Sequence, residues 1–199
     1  LEGPKSQIMA LGALAAFMAV ILLWAWVTQP FYEVGQDGHS YHLAAIWSLA
    51  EGWNPFYAPP HENIWVDSYP NGYWVLESYI VSLTGLLLSG KSLNIGIMAA
   101  VALLSFGFFH DRLANPHPRV KILAALILSV IVVANPVVLT QIMTHYEDGP
   151  LYLLGVGLLF FLLSDAFTPS QLSRWAVIAC IILMVNTKTA ALYYVPLIT

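Results

Sequence analysis

The sequence predicts an all-α membrane protein, a multi-span helical bundle with a long first external loop that contains juxtamembrane helices. Three observations carry this expectation. Of the 199 residues, 59% are apolar and only 9% are charged, too few to clothe a water-facing surface. The apolar residues fall in uninterrupted runs close to the roughly 20 residues that span hydrocarbon. Between the first two runs lies a stretch from Gln29 to Gly72 with Pro30, Pro55, Pro59, Pro60 and Pro70, too irregular to sit unprotected in lipid.

The first run, about 8–28 behind Lys5, is too long for the core of a signal peptide. It leads into Trp24, Trp26, Gln29 and Pro30 with no small-residue cleavage site, so it reads as an uncleaved span. Within the following loop, Tyr41, Ala44, Ala45, Ser48 and Leu49 recur at helical spacing and predict an interfacial helix over about 39–51. Trp47, Trp53, Phe56, Tyr57, Trp65, Tyr69, Tyr73 and Trp74 are rings of the kind that anchor at headgroup depth. Further apolar segments follow at about 73–89, 93–110, 122–142, 151–165 and 175–198. The whole chain, 1–199, reads as a single transmembrane domain. Because it opens on Leu1 and closes on an apolar run, it is expected to be a piece of a longer polypeptide.

Charge bias decides which segments cross. If 73–89 crosses, Lys5 and Lys91 share the cytoplasmic side while Arg112, Arg119, Lys121 and Arg174 fall outside, against the positive-inside rule. If 73–89 is instead an interfacial or re-entrant helix, Lys5, Arg112, Arg119, Lys121 and Arg174 are inside and only Lys91 is outside. The second arrangement is the expected one. Segment 73–89 supports it by carrying Glu77, Ser78, Ser82, Thr84 and Gly85. The spans are then 8–28, 93–110, 122–142, 151–165 and 175–198. Residues 29–92 form one external loop, and the turn His145-Tyr146-Glu147-Asp148-Gly149 lies on the same face.

Composition also excludes functions. Cys180 is the only cysteine and sits in an apolar run, where it packs, so disulfide frameworks and thiolate metal sites are absent from this chain. The net charge is −4, and no basic run is present to hold nucleic acid.

Asp37, in Gln36-Asp37-Gly38-His39-Ser40-Tyr41-His42-Leu43, has two readings: a turn residue capping the interfacial helix, or a general base or metal-linked carboxylate where water is limited. Glu147 and Asp148 are adjacent carboxylates in a short turn between hydrophobic spans, a costly placement that marks a site. Their oxygens suit a divalent cation such as Mg²⁺ or Mn²⁺ facing a phosphate leaving group. His39, His42 and His145 are candidates to join or orient such a site. Lys188, in Val185-Asn186-Thr187-Lys188-Thr189, is an ammonium inside an otherwise apolar span; it serves either as a structural, acid-paired lysine or as a phosphate ligand.

In layout the chain resembles the GT-C superfamily of integral-membrane glycosyltransferases, which includes protein O-mannosyltransferases, oligosaccharyltransferase catalytic subunits and the lipid A aminoarabinose transferase. Such enzymes carry an acidic residue in a long first external loop, matched by Asp37 in Asp37-Gly38-His39-Ser40-Tyr41-His42-Leu43. Juxtamembrane helices follow, often introduced by an aromatic-proline segment, matched by Ser68-Tyr69-Pro70-Asn71-Gly72-Tyr73-Trp74. A second acidic position comes two spans later, matched by Glu147-Asp148. The chain differs from many members in its lone Asp before Gly and in the adjacency of Glu and Asp, which leaves metal dependence open.

The resemblance implies inverting transfer of a sugar from a polyprenyl-phosphate donor to an acceptor (lipid, glycan or protein) on the external or periplasmic face of a plasma or inner membrane. Asp37 would deprotonate the acceptor hydroxyl. Glu147 and Asp148 would hold a cation or order the donor head group, Lys188 would receive the phosphate charge, and His42, Tyr69 and His145 would line the site. Two alternatives stay open: a transporter or flippase using Glu147, Asp148 and Lys188 as a polar path, and a non-catalytic membrane subunit of a glycan-assembly complex.

Overall fold

The computed structural model describes residues 3–33, 35–114 and 117–199, with side chains from Ile8 onward apart from Met9 and Ala10. Leu1, Val34 and the Lys5 side chain counted in the charge balance lie outside the described residues.

Among the described residues all regular structure is helical. α1 (Gly3–Thr28) is followed by a π-helical turn (Gly38–His42) that runs directly into α2 (Leu43–Ala50). The short α3 (Ile64–Ser68) leads to α4 (Gly72–Thr84). Gly85 ends α4 in the left-handed conformation, φ 67°, that glycine adopts without cost, and a 3₁₀ turn (Leu87–Ser89) precedes α5 (Ser92–Arg112).

Two apolar runs that read as continuous in sequence are broken. The run 122–142 is divided into α6 (Pro118–Val133) and α7 (Pro136–Gln141). Pro136 lacks an N–H and crowds the preceding turn, so the helix stops, and the Asn135 side chain accepts the Val137 N–H to start a new one. After α8 (Asp148–Phe167), the run 175–198 is divided into α9 (Gln171–Thr187) and α10 (Ala191–Ile198), with Lys188 extended between them.

Three stretches, Leu11–Thr28, Leu87–Arg112 and Asp148–Phe167, are long and apolar enough to cross a membrane, and Gln171–Thr187 is a shorter apolar helix. The outward face of α6 agrees with a lipid environment: Leu123, Leu126, Ile127, Val130 and Ile131 are each at least half exposed.

Side-chain contacts fix the helix directions. The Leu88 N–H donates to the Gln29 side chain at 3.0 Å, and the Lys91 ammonium donates to the Phe31 carbonyl. One turn further in, Gly96 lies against Ile21. The end of α1 therefore meets the start of α5, the two helices are antiparallel, and the segment between them leaves and returns at one end of the helices. The turn before α8 belongs to the same end, because the Asn94 amide donates to the carbonyls of Gln141 (3.2 Å) and Thr144 (2.8 Å). At the opposite end Arg112 lies over the rings of Phe108 and Phe167, and Asp165 accepts from the Ser170 N–H and the Ser173 hydroxyl.

The segment between α1 and α5 has its own core: Tyr41, Ala45 and Ile46 pack on Val66, Trp74 and Val81. Beneath it, Leu151, Leu154 and Leu158 of α8 pack on Cys180 and Met184 of α9. α4 joins the two layers through Gly72, where a β-carbon would lie 2.5 Å from Asn186 Cβ and 2.9 Å from its carbonyl oxygen. Because backbone blocks that space, Gly72→Ala is expected to destabilise the protein by about 1–3 kcal/mol. Gly107→Ala, which meets nothing within 4 Å, is expected to be neutral or slightly stabilising. Thermal unfolding of the two variants in the same detergent checks the difference.

Candidate functional site

The site forms where the segment after α1, the turn before α8 and the break after α9 come together. Its floor is a group of charged side chains withdrawn from solvent: Glu33, Glu77, Lys91, His145 and Glu147 are all at most 1% exposed. Buried charges persist only where they are partnered, and most of these are. Glu33 accepts the Gly35 N–H at 3.0 Å and the His145 N–H at 2.8 Å. Glu77 pairs with His145 Nδ1 at 3.2 Å, and Lys91 stands close to both the Glu33 and Glu77 carboxylates. Close approach is possible because position 38 is glycine: a β-carbon there would lie 2.5 Å from the Glu33 carboxyl carbon.

Glu147 is different. Both of its carboxylate oxygens are buried without a hydrogen-bond partner, as is His145 Nε2. Burial raises the Glu147 pKa well above the ordinary carboxylate value, the neighbouring Glu77 charge adds to the rise, and Lys188 opposes it. Burial likewise raises the Glu77 pKa, against the pull of His145.

Above this floor the side chains are more open. Lys188 forms an ion pair with Asp148 Oδ1, and both side chains are partly exposed. Gln141 braces Asp148: its amide lies 3.4 Å from Asp148 Oδ2 while its carbonyl accepts the Gly149 N–H at 2.7 Å. Tyr69 stands near Lys188, and its ring centroid lies 5.5 Å from that of Tyr41, which in turn is close to Asp37 and Glu147. Burial raises the Tyr41 phenol above its ordinary value and keeps it a neutral donor. His42 is buried and accepts the Trp74 indole N–H at Nδ1, 2.9 Å away. Burial, with His145 and Lys188 nearby, pushes its pKa down to about 3, so it is a neutral imidazole.

Asp37 is exposed and precedes the π-helical turn without any side-chain capping bond, so its carboxylate is not occupied by the helix start. His39 instead pairs with Tyr32 at the surface. The residues singled out in the sequence thus occupy two levels: Asp37, Tyr69, Asp148 and Lys188 are open to solvent to some degree, whereas His42, His145 and Glu147 lie beneath them. A cleft of about 650 Å³ runs from Asp148 along α8, walled by Leu151, Val156 and Leu159 and, across from them, by Tyr194, Leu197 and Ile198.

For a divalent cation, Asp148 already has an ammonium counter-ion. Among the described residues no three His, Cys, Asp or Glu side chains converge in a set able to hold an ion. No step below is assigned to a metal.

The chain matches no protein-family model, no curated protein and no solved structure at a significant level.

The sequence points to Glu77 only as a reason for 73–89 not to cross, and to Lys91 only as a charge to be counted. Both belong to the buried floor. The signal was present, since an ionisable group inside an apolar stretch needs a partner. Its partner could not be named because positions 33, 77, 91 and 145 are far apart in the chain.

A raised carboxyl pKa means that the folded state binds the proton more tightly than the unfolded state. Stability is then fully present below the unfolded value of 4.5 and is lost as pH rises toward the folded value. Glu147→Gln is expected to raise stability at pH 8 by roughly 1–3 kcal/mol, with the difference vanishing toward pH 4.5. Unfolding curves of both proteins across that range measure it.

Proposed function

We propose that the chain is the membrane-embedded part of a glycosyltransferase that moves a sugar from a polyprenyl-phosphate donor to an acceptor at the external face of the membrane. One observation carries the reading: Asp148 lines an apolar cleft alongside α8, and Lys188 is ion-paired to that carboxylate. A lipid phosphate needs both parts, hydrocarbon walls for the polyprenyl chain and a cation for the head group.

In this reading α1, α5, α6 with α7, α8 and α9 cross the bilayer, and the segment between α1 and α5 lies on the external face. The antiparallel meeting of α1 and α5 supports that arrangement, because α4 then has no need to cross. Arg112, Arg119, Lys121 and Arg174 gather at the other end, where the positive-inside rule puts the cytoplasm.

The reaction follows from these positions. The acceptor hydroxyl oxygen attacks the anomeric carbon while the Asp37 carboxylate takes its proton. The bond from the anomeric carbon to the phosphate oxygen breaks, and the polyprenyl phosphate leaves with the electron pair. Lys188 faces the charge that develops there, exchanging its contact with Asp148 for one with the phosphate. Attack and departure on opposite faces of the sugar invert its configuration. Tyr69 and Tyr41 connect the Lys188 and Asp37 ends of the site.

The two ends make separable contributions. Asp37→Asn is expected to lower turnover by about 10²–10⁴-fold with donor affinity retained, since it removes only the proton acceptor. Lys188→Ala is expected to weaken donor binding, and an unchanged donor affinity would remove its phosphate role. Donor titration and initial rates on the full-length protein in nanodiscs separate the effects.

A transporter reading draws on the buried Glu33, Glu77, Lys91 and His145 group, which resembles a polar path. Side-specific labelling decides whether the site can exist at all. In a Cys180→Ala background, single cysteines at the exposed positions Glu62 and Thr189 are expected to react with an impermeant maleimide from the same side of sealed membranes, and one at Arg119 from the other. Reaction of Glu62 and Thr189 positions from opposite sides would mean that α4 crosses, and the transporter reading would take precedence.

A further inference from the structure

A second cavity, of about 620 Å³, opens between α2 and α4 with Tyr69 in its wall. Its volume falls within the roughly 300–1,000 Å³ of small-molecule sites. Two features of its wall are informative. No Asp, Glu, Lys, Arg or His is among the residues that line it, and beside Leu49, Val75 and the loop prolines and glycines the wall carries aromatic rings, amides and hydroxyls.

The rings are Trp53, Phe56, Tyr69 and Tyr79. Trp53 is held in place because its indole N–H donates to the Pro59 carbonyl at 3.3 Å and its ring meets His61 edge-on. The amides have free hydrogen-bonding capacity. Asn71 Oδ1 is buried with no donor to it. Asn54 spends its carbonyl on the Phe56 N–H, which leaves its NH₂ group, and Asn186 spends its NH₂ on the Ile182 carbonyl, which leaves its oxygen. A ligand is wanted that both donates and accepts hydrogen bonds, bears no charge and presents apolar C–H faces to aromatic rings. A saccharide has all three properties.

We infer that this cavity binds the acceptor, and that the acceptor is a neutral saccharide chain. The inference rests on the transferase reading and gives it an acceptor class. An anionic ligand would find no cation in the wall. The position fits the role, because Tyr69 is shared between this wall and the neighbourhood of Lys188, so an acceptor seated here approaches the donor phosphate across one side chain.

The test reads binding without donor. The full-length protein in nanodiscs is applied to an array of immobilised neutral oligosaccharides (glucan, mannan, galactan and arabinan fragments) beside sialylated and phosphorylated ones. Retention of at least one neutral class is expected, with binding at least ten-fold weaker in Trp53→Ala, in Phe56→Ala and in Asn71→Asp, and unchanged in Leu126→Ala on the outward face of α6. Phe56 is 86% exposed, so its variant folds and keeps the test decisive if Trp53→Ala does not. Retention of no neutral oligosaccharide, retention of anionic ones only, or equal retention by the Trp53 and Phe56 variants would overturn the inference. Failure of the wild-type protein to transfer sugar would instead sink the transferase reading while leaving the binding result standing.

Discussion

The structure depends on one buried cation. Lys91 is withdrawn entirely from solvent, donates to the Phe31 carbonyl at the end of α1, and stands beside Glu33 and Glu77. Removing one partner from such a group leaves an uncompensated buried charge, which typically costs about 3–5 kcal/mol. The contact ties the start of α5 to the end of α1. Everything above it follows. The segment between the two helices must fold back on the end from which it left, α4 lies across the helices instead of continuing through them, and Glu77 is delivered to His145 in the turn before α8.

The same contact divides the acids by environment. Glu33, Glu77 and Glu147 lie below the surface, and burial favours the protonated forms of Glu77 and Glu147. Asp37 and Asp148 lie above, one in solvent and one paired with Lys188. Glu147, although adjacent to Asp148 in sequence, faces the opposite way and is part of the floor. In a helix that starts at Asp148, neighbouring residues differ by about 100° in direction, and here that separates a group facing the cleft from one facing the buried acids.

How much of this was legible in the sequence depends on the range of the interaction. Local signals were readable: the apolar runs of α1, α5 and α8, and the polar residues of α4. The break at Asn135 was also marked locally, by Pro136, yet hydropathy runs straight through it because Asn135 is a single polar residue among aliphatic ones. Lys188 was conspicuous as an ammonium in an apolar run, but its pairing with Asp148, forty residues away, was not. The buried floor was least legible, since Glu33, Glu77, Lys91 and His145 come from four separate segments. Neither cavity was legible at all, because each is a space left between elements and no run of residues encodes it.

The break after α9 makes the two cavities parts of one site. Had the helix continued past Thr187, residue 188 would have followed the helical path, and its side chain would have been placed by helical rotation. Lys188 instead has extended backbone, φ −151° and ψ 138°, and its side chain meets Asp148 at the head of the apolar cleft. Two residues earlier, the Asn186 side chain still belongs to the helix and lines the other cavity through its contact with Gly72. The end of α9 thus forms a partition with the apolar cleft on one side and the ring- and amide-lined cavity on the other. In the proposed transferase reading such a partition would hold donor and acceptor apart by their own recognition surfaces, with Asn186 facing one and Lys188, two residues on, facing the other.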